Sequence, residues 1–170
     1  MLRTLKQIIR IGLISEPGAK REHDQTQESR LNAQIYQRFG RALGVRHVDA
    51  GSCNGCELEI HAVNNPYYNL EGSGIKFVAS PRHADVLLVT GPVSRHMETA
   101  LRRVYDAIPD PKWVIAVGDC GCTGGIFGVN YAICGCVADV IPVDVTVAGC
   151  PPPPTAILAG LMSVVTSDRG

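Results

Sequence analysis

The chain has no net charge to spare: its 16 Lys and Arg balance its 16 Asp and Glu, and the sequence pI is about 6.9. A neutral surface offers no basic field to attract nucleic acid and no acidic tail to act as a solvated arm. Protein partners are expected instead. Long apolar runs are missing as well, since no window reaches the ~18 consecutive apolar residues of a membrane span. The opening stretch MLRTLKQIIRIGLIS sets basic residues before an apolar segment, as a signal peptide would, but Arg10 splits that segment and no small-residue cleavage site follows. The expectation is a chain with neither leader nor transmembrane segment. In it, Leu2, Leu5, Ile8, Ile9 and Leu13 mark one face of a helix lying on a partner, the favoured reading, or on a bilayer surface. A disulfide framework is the weaker use of the seven cysteines, because their number is odd and no secretory signal precedes them. A reducing, cytoplasmic compartment fits better. The 170 residues suffice for one core.

What the chain does have is cysteine in turn-forming company. Ser52-Cys53-Asn54-Gly55-Cys56 puts two thiols one helical turn apart where a strand is expected to run into a helix. Cys120 in GDCGCTGG and Cys150 in AGCPPPP each follow directly on an apolar run that reads as a buried strand. Four thiolates converging from three strand ends suit an iron–sulfur cluster.

Residues 1–44 read as an N-terminal helical extension, with a polar linker over 16–28 and a helix from Ser29 to Leu43 closed by Gly44. From residue 45 to 170 short apolar runs alternate with helical segments. Strands are predicted at 45–50, 75–79, 85–90, 113–117 and 143–148. Helices are predicted at 57–64, with Leu58, His61 and Ala62 on one side, at 97–108 and at 155–165, the last started by four prolines. This alternation implies an α/β fold with a doubly wound, mostly parallel, flavodoxin-like sheet. Ligands of such sheets sit beyond the carboxyl ends of the strands, and Cys53, Cys120 and Cys150 all fall there.

Structural zinc also takes four thiolates, but usually from two C-x2-C knuckles. Ligands from separate strand ends favour the cluster without excluding zinc. Cys134 and Cys136, in the irregular stretch AICGCVAD, read as buried free thiols. Cys122 competes with Cys120, which is preferred because it comes at once after the strand. Gly124, Gly125 and Gly128 would let backbone approach a cluster and direct N–H groups at its sulfides. Glu57 reads as a solvated residue at a helix start; Glu59 is the candidate for proton relay or cluster tuning. His61, His83 and His96 read as ordinary histidines, with His83 and Arg82 weighed as cluster or partner contacts.

The motifs SCNGCELEI, SPRHADVLLVTGPV, GDCGCTGGIFG and IPVDVTVAGCPPPP resemble the small, cluster-bearing subunit of membrane-bound, energy-converting [NiFe] hydrogenases, formate hydrogenlyase included. That group takes in the homologous 20 kDa (B) subunit of NADH:quinone oxidoreductase, complex I. The resemblance spans residues 45–165 and implies one 4Fe-4S cluster on Cys53, Cys56, Cys120 and Cys150, with the family's acidic residue at Glu59. It also implies electron relay between a ferredoxin-like iron–sulfur subunit and a large subunit carrying the [NiFe] centre, or its complex I 49 kDa-like counterpart. Integral membrane subunits would hold the assembly at the cytoplasmic face of the membrane. Cys-Asn-Gly-Cys at 53–56 resembles the hydrogenase branch, whereas the quinone-linked branch has adjacent cysteines. The nickel would be the partner's, because its ligands come as two C-x2-C pairs and one is present here. The surface around Cys53–Glu59 and Arg82 is expected to face that large subunit.

Overall fold

The structure is a computed structural model that describes residues 2–11 and 25–166, with the side chains of 25–29 left out. Along the chain run α1 (Leu2–Ile11), α2 (Gln25–Phe39), β1 (Leu43–Asp49), α3 (Gly55–Val63), β2 (Ile75–Phe77), β3 (Val86–Thr90) and β4 (Val93–Ser94). Then come α4 (Arg95–Ala107), β5 (Trp113–Val117), α5 (Gly118–Thr123), β6 (Ile133–Gly135), β7 (Val145–Val147) and α6 (Pro154–Thr166).

Five strands form one sheet in the order β2-β1-β3-β5-β7, every neighbouring pair parallel. This is the flavodoxin-like order, whose switch point lies between β1 and β3. The α/β, doubly wound reading therefore holds. A separate antiparallel pair, β4 with β6, has no counterpart among the predicted strands.

The apolar run VLLVT forms β3 because both faces of the strand are covered. Leu88 points into a core with Val45, Ile60, Ile115 and Leu161, under α2, α3 and α6. Leu87 and Val89 point the other way, among Val48, Leu101, Val114 and Ala116 under α4. Each such side chain contributes roughly 1.5–3 kcal/mol by leaving water. Gly160 brings α6 onto β7, since a Cβ there would lie 2.5 Å from Val147 Cγ2.

Several boundaries differ from expectation. The helix predicted to close at Gly44 ends at Phe39, because Gly40 turns left-handed with φ 67°. Gly44 is a strand residue whose N–H donates to Asp85 Oδ2 at 2.8 Å. Residues 25–28 of the expected linker belong to α2, and 16–24 lie outside the described residues, as does Leu13. Ile35 of α2 is fully buried in the same core as Leu43, and the Phe39 ring meets Trp113 edge-on. The buried side of α3 is Glu57, Ile60 and Val63, and Leu58 and His61 are exposed on the side they share with Ala62. Among the described residues, no helix is long and apolar enough to cross a membrane.

Candidate metal centre

Because the five strands are parallel, their carboxyl ends share one edge, and three loops there carry the candidate thiols. At the end of β1, Asp49 Oδ1 accepts from the N–H groups of Gly51 and Ser52 at 2.8 and 2.7 Å and turns the chain back. Ser52 Oγ then accepts from Asn54 N at 3.0 Å. Asn54, left-handed at φ 70°, starts α3 between Cys53 and Cys56.

At the end of β5 the chain enters α5 through Gly118, φ 83°. A Cβ on Gly118 would lie 2.6 Å from Cys56 Sγ, and one on Gly125 would lie 2.8 Å from Cys120 Sγ. The loop after β7 brings Cys150 to the same place. Asp119 N donates to Gly149 O at 2.9 Å, and Gly149 N donates to Asp119 Oδ1 at 2.7 Å. The pyrrolidine of Pro151 and the Cys53 sulfur both lie within 3.9 Å of where a Gly55 side chain would begin.

Electrostatics divide the seven cysteines. The Cys56 thiol is pushed up to about 12, first by burial, then by the charges of Glu57, Cys53, Cys120 and Cys150. Cys120 is raised by burial and by Cys150, Cys53 and Asp119. Cys122, also raised by burial, feels Asp119 and Cys136 instead, and its Sγ is directed at Ala116 O, 3.5 Å away. Cys134 is raised by burial and by its 3.4 Å contact with Glu98 Oε2. Cys53, Cys56, Cys120 and Cys150 thus form one electrostatic group, with Cys53 and Cys150 exposed and the other two half-buried. Among the described residues, no three His, Cys, Asp or Glu side chains are placed to hold a single metal ion.

The acid this site buries is Glu57, read from sequence as solvated. It is 8% exposed, accepts from Ser52 Oγ at 2.5 Å and from Thr90 Oγ1, and lies 3.8 Å from His47 Nε2. His47, 3.0 Å from Thr90 Oγ1, carries no motif that singles it out in the sequence. Burial lowers its pKa against the opposing pull of Glu57 and Asp49. Two polar letters hint at this network: Thr90 ending an apolar strand, and Ser52 just before the first thiol. Glu59, two residues further along α3, is half-buried and has no hydrogen bond or ion pair among the described residues.

Arg82 and His83 do not join the site. They form a short turn (Pro81–His83) before β3, at the amino edge of the sheet, while the thiols lie at the carboxyl edge. Strands rise about 3.3 Å per residue, so the length of β3 separates them. His61 and His96 are exposed on α3 and α4.

The family described as "NADH ubiquinone oxidoreductase, 20 Kd subunit" matches residues 53–164, all four clustered thiols included. The chain belongs to this 20 kDa subunit family. Its relatives include the probable membrane-bound hydrogenase subunit mbhJ of Pyrococcus furiosus, 48% identical over 130 residues, 76% of this chain and 78% of that one. Formate hydrogenlyase subunit 7 of Escherichia coli is 46% identical over 130 residues, but this chain spans only 51% of its length. An NADH-quinone oxidoreductase subunit of Chloroflexus aurantiacus is 51% identical over 108 residues, 63% of this chain and 62% of that protein. Among solved structures, a chain of the membrane-bound sulfane sulfur reductase, an archaeal respiratory membrane complex, superposes with TM-score 0.66 at 31% identity, covering 80% of this chain and 77% of that one. The NAD+-reducing [NiFe]-hydrogenase shares the fold of this 20 kDa family member at TM-score 0.59 and 17% identity, over 74% of this chain and 92% of that one.

Proposed function

We propose that this chain is the electron-transfer subunit of a membrane-associated [NiFe] hydrogenase complex, holding one 4Fe-4S cluster on Cys53, Cys56, Cys120 and Cys150. The observation that carries the reading is the grouping of these four sulfurs, out of seven, at the carboxyl edge of a parallel sheet. An all-sulfur donor set suits iron–sulfur clusters and zinc. A cluster presents four iron corners and so suits donors brought by three separate loops. Gly118 and Gly125 fit as well, leaving the Cys56 and Cys120 sulfurs room that any side chain would take.

When bound, the cluster supplies a carrier for one electron at a time. The chain's own part is to fix four thiolates, to bury a carboxylate at Glu57 beside Cys56, and to present the site at a surface. That surface fits a partner: Ile126 and Tyr131, in the loop that follows α5, are each 94% exposed. The partner on this edge is a large subunit with the [NiFe] centre; electrons are exchanged with a ferredoxin-like iron–sulfur subunit, and integral membrane subunits hold the assembly at the cytoplasmic face. Glu59 is assigned a tuning or proton-relay role on the resemblance alone.

The second reading replaces hydrogen with quinone, as a complex I-like subunit facing a 49 kDa-like partner. It is favoured by the 51% identity to the Chloroflexus NADH-quinone oxidoreductase relative. Metal analysis with low-temperature EPR on the co-purified complex separates the two. Nickel, together with one 4Fe-4S cluster beyond those the partners' cysteines account for, supports the hydrogenase. That cluster without nickel supports the quinone-linked complex, and no iron attributable to this chain rejects both.

A further inference from the structure

Among the described residues the fold buries two acids, and it treats them differently. Asp85, at the amino edge of the sheet, meets Arg41 Nη2 at 2.7 Å and accepts from the Gly44 N–H at 2.8 Å, so a cation balances it. Glu57, at the carboxyl edge beside Cys56, makes no ion pair with any described Lys or Arg. The basic group it does meet is His47, with Nε2 3.8 Å from Oε1, and burial favours the neutral form of that ring. Burying a charge without a partner ion is costly, and here the cost falls next to a candidate ligand.

The hydrogen bonds fix the state of this carboxyl group. Ser52 Oγ accepts from Asn54 N at 3.0 Å, and its own proton goes to Glu57 Oε2 at 2.5 Å. Thr90 gives its single hydroxyl proton to Glu57 Oε1. That leaves Thr90 Oγ1 to accept from His47 Nε2, 3.0 Å away, which assigns the ring proton to Nε2. Both oxygens of Glu57 are therefore acceptors, as in the ionised form, and a neutral imidazole completes the set. A protonated Glu57 would have to turn one of the hydroxyls away. The arrangement holds a standing charge.

We propose that Glu57 is a fixed negative charge that lowers the reduction potential of the cluster on Cys53, Cys56, Cys120 and Cys150. The inference rests on the electron-transfer reading and adds to it the residue that sets how reducing the carried electron is. Each electron that a 4Fe-4S cluster accepts adds one negative charge to it, and net charge is among the levers on its potential. A carboxylate shut away from water is screened far less than one on the surface. The charge of Glu57 already acts on the Cys56 sulfur. Glu59, half-buried and without a hydrogen bond among the described residues, is the weaker lever. Proton reduction needs a strongly reducing electron, whereas a quinone accepts from milder donors, so the charge suits the hydrogenase.

The test is an EPR-monitored redox titration of the co-purified complex with dithionite as reductant, following the signal that Cys150→Ser removes. Glu57→Gln keeps the shape of the side chain and removes its charge, so the midpoint should move to more positive potential with iron per chain unchanged. Glu57→Asp keeps the charge and should stay close to the wild type. Glu59→Gln should move the midpoint less than Glu57→Gln does. A Glu57→Gln midpoint at or below the wild-type value overturns the proposal. A Glu57→Asp shift as large as that of Glu57→Gln also overturns it, by making shape the cause, and a Glu59→Gln shift at least as large does so by moving the role to Glu59. A Glu57→Gln chain that assembles no cluster overturns it as well, by making the carboxylate structural. A wild-type complex with no 4Fe-4S signal from this chain would instead overturn the electron-transfer reading, and the proposal with it.

Discussion

Asp119 and Gly149 bind each other in both directions, through Asp119 N to Gly149 O at 2.9 Å and Gly149 N to Asp119 Oδ1 at 2.7 Å. Each immediately precedes a clustered thiol, so the pair fixes the offset between Cys120 and Cys150. Asp119→Ala removes the carboxylate arm, a charge-assisted bond of the kind worth about 1.5–3 kcal/mol, and frees the β7 loop. Iron per chain in the purified complex should fall, with a lower Tm. Asp119→Asn keeps an acceptor oxygen in place and should retain most of the iron. Full iron in Asp119→Ala would mean that the clamp is dispensable.

Gly118 and Gly128 make a matched pair of left-handed glycines, φ 83° and 56°, in different surroundings. A Cβ on Gly118 would collide with Cys56 Sγ at 2.6 Å, whereas one on Gly128 would meet nothing within 4 Å. Backbone strain alone costs about 1 kcal/mol for either alanine. Gly118→Ala should therefore lose the cluster absorbance while Gly128→Ala keeps it, both with the sheet's circular dichroism intact. Equal iron in the two variants would remove Cys56 from the ligand set.

The buried strands are open to reading because VLLVT and WVIAV are continuous apolar runs, and the thiols because each follows such a run. Other features depend on partners distant in sequence. α5 is six residues, GDCGCT, with two glycines and little helical propensity of its own; its place between the ends of β5 and β7 makes it a helix. Glu57 looks like any first-turn acid until Thr90 and Ser52 are folded over it. Arg82 and His83 look like site contacts only while their motif is read without its topology. They precede their strand, and in a parallel sheet that puts them at the edge away from the thiols.

His47 gives the fold a pH dependence whose sign follows from burial. Its folded-state pKa is lowered, so the unfolded chain binds the proton more tightly. The groups acting on it are Glu57 and Asp49, which raise it, and Arg46 and His61, which lower it further. The stability it contributes is complete above the ordinary imidazole value of about 6.5 and declines as pH falls below it. Thermal melts of wild type and His47→Gln across that range should converge on the acid side, the variant having the flatter profile. Parallel profiles would take His47 out of the acid sensitivity.

Cysteine replacement bears on the ligand set directly, and the fold says which replacements should be silent. Cys150 shares its surroundings with Cys53, Cys56 and Cys120, so Cys150→Ser should abolish the 4Fe-4S EPR signal and lower iron per chain in the co-purified complex. Cys134 rests on Glu98 of α4, and Cys136 keeps company with Cys122 instead of with the four, so serine at either should leave the signal intact. Cys122 is the sharpest case, because it lies two residues from Cys120 on the same short helix. Positions two apart on a helix face opposite ways, and the Cys122 sulfur is turned back toward Ala116 O. Cys122→Ser should therefore keep the cluster, and Cys120→Ser should lose it without rescue by its neighbour. Loss of the signal in both would mean that α5 unwinds around the iron, and loss in Cys122→Ser alone would move the third ligand by two residues.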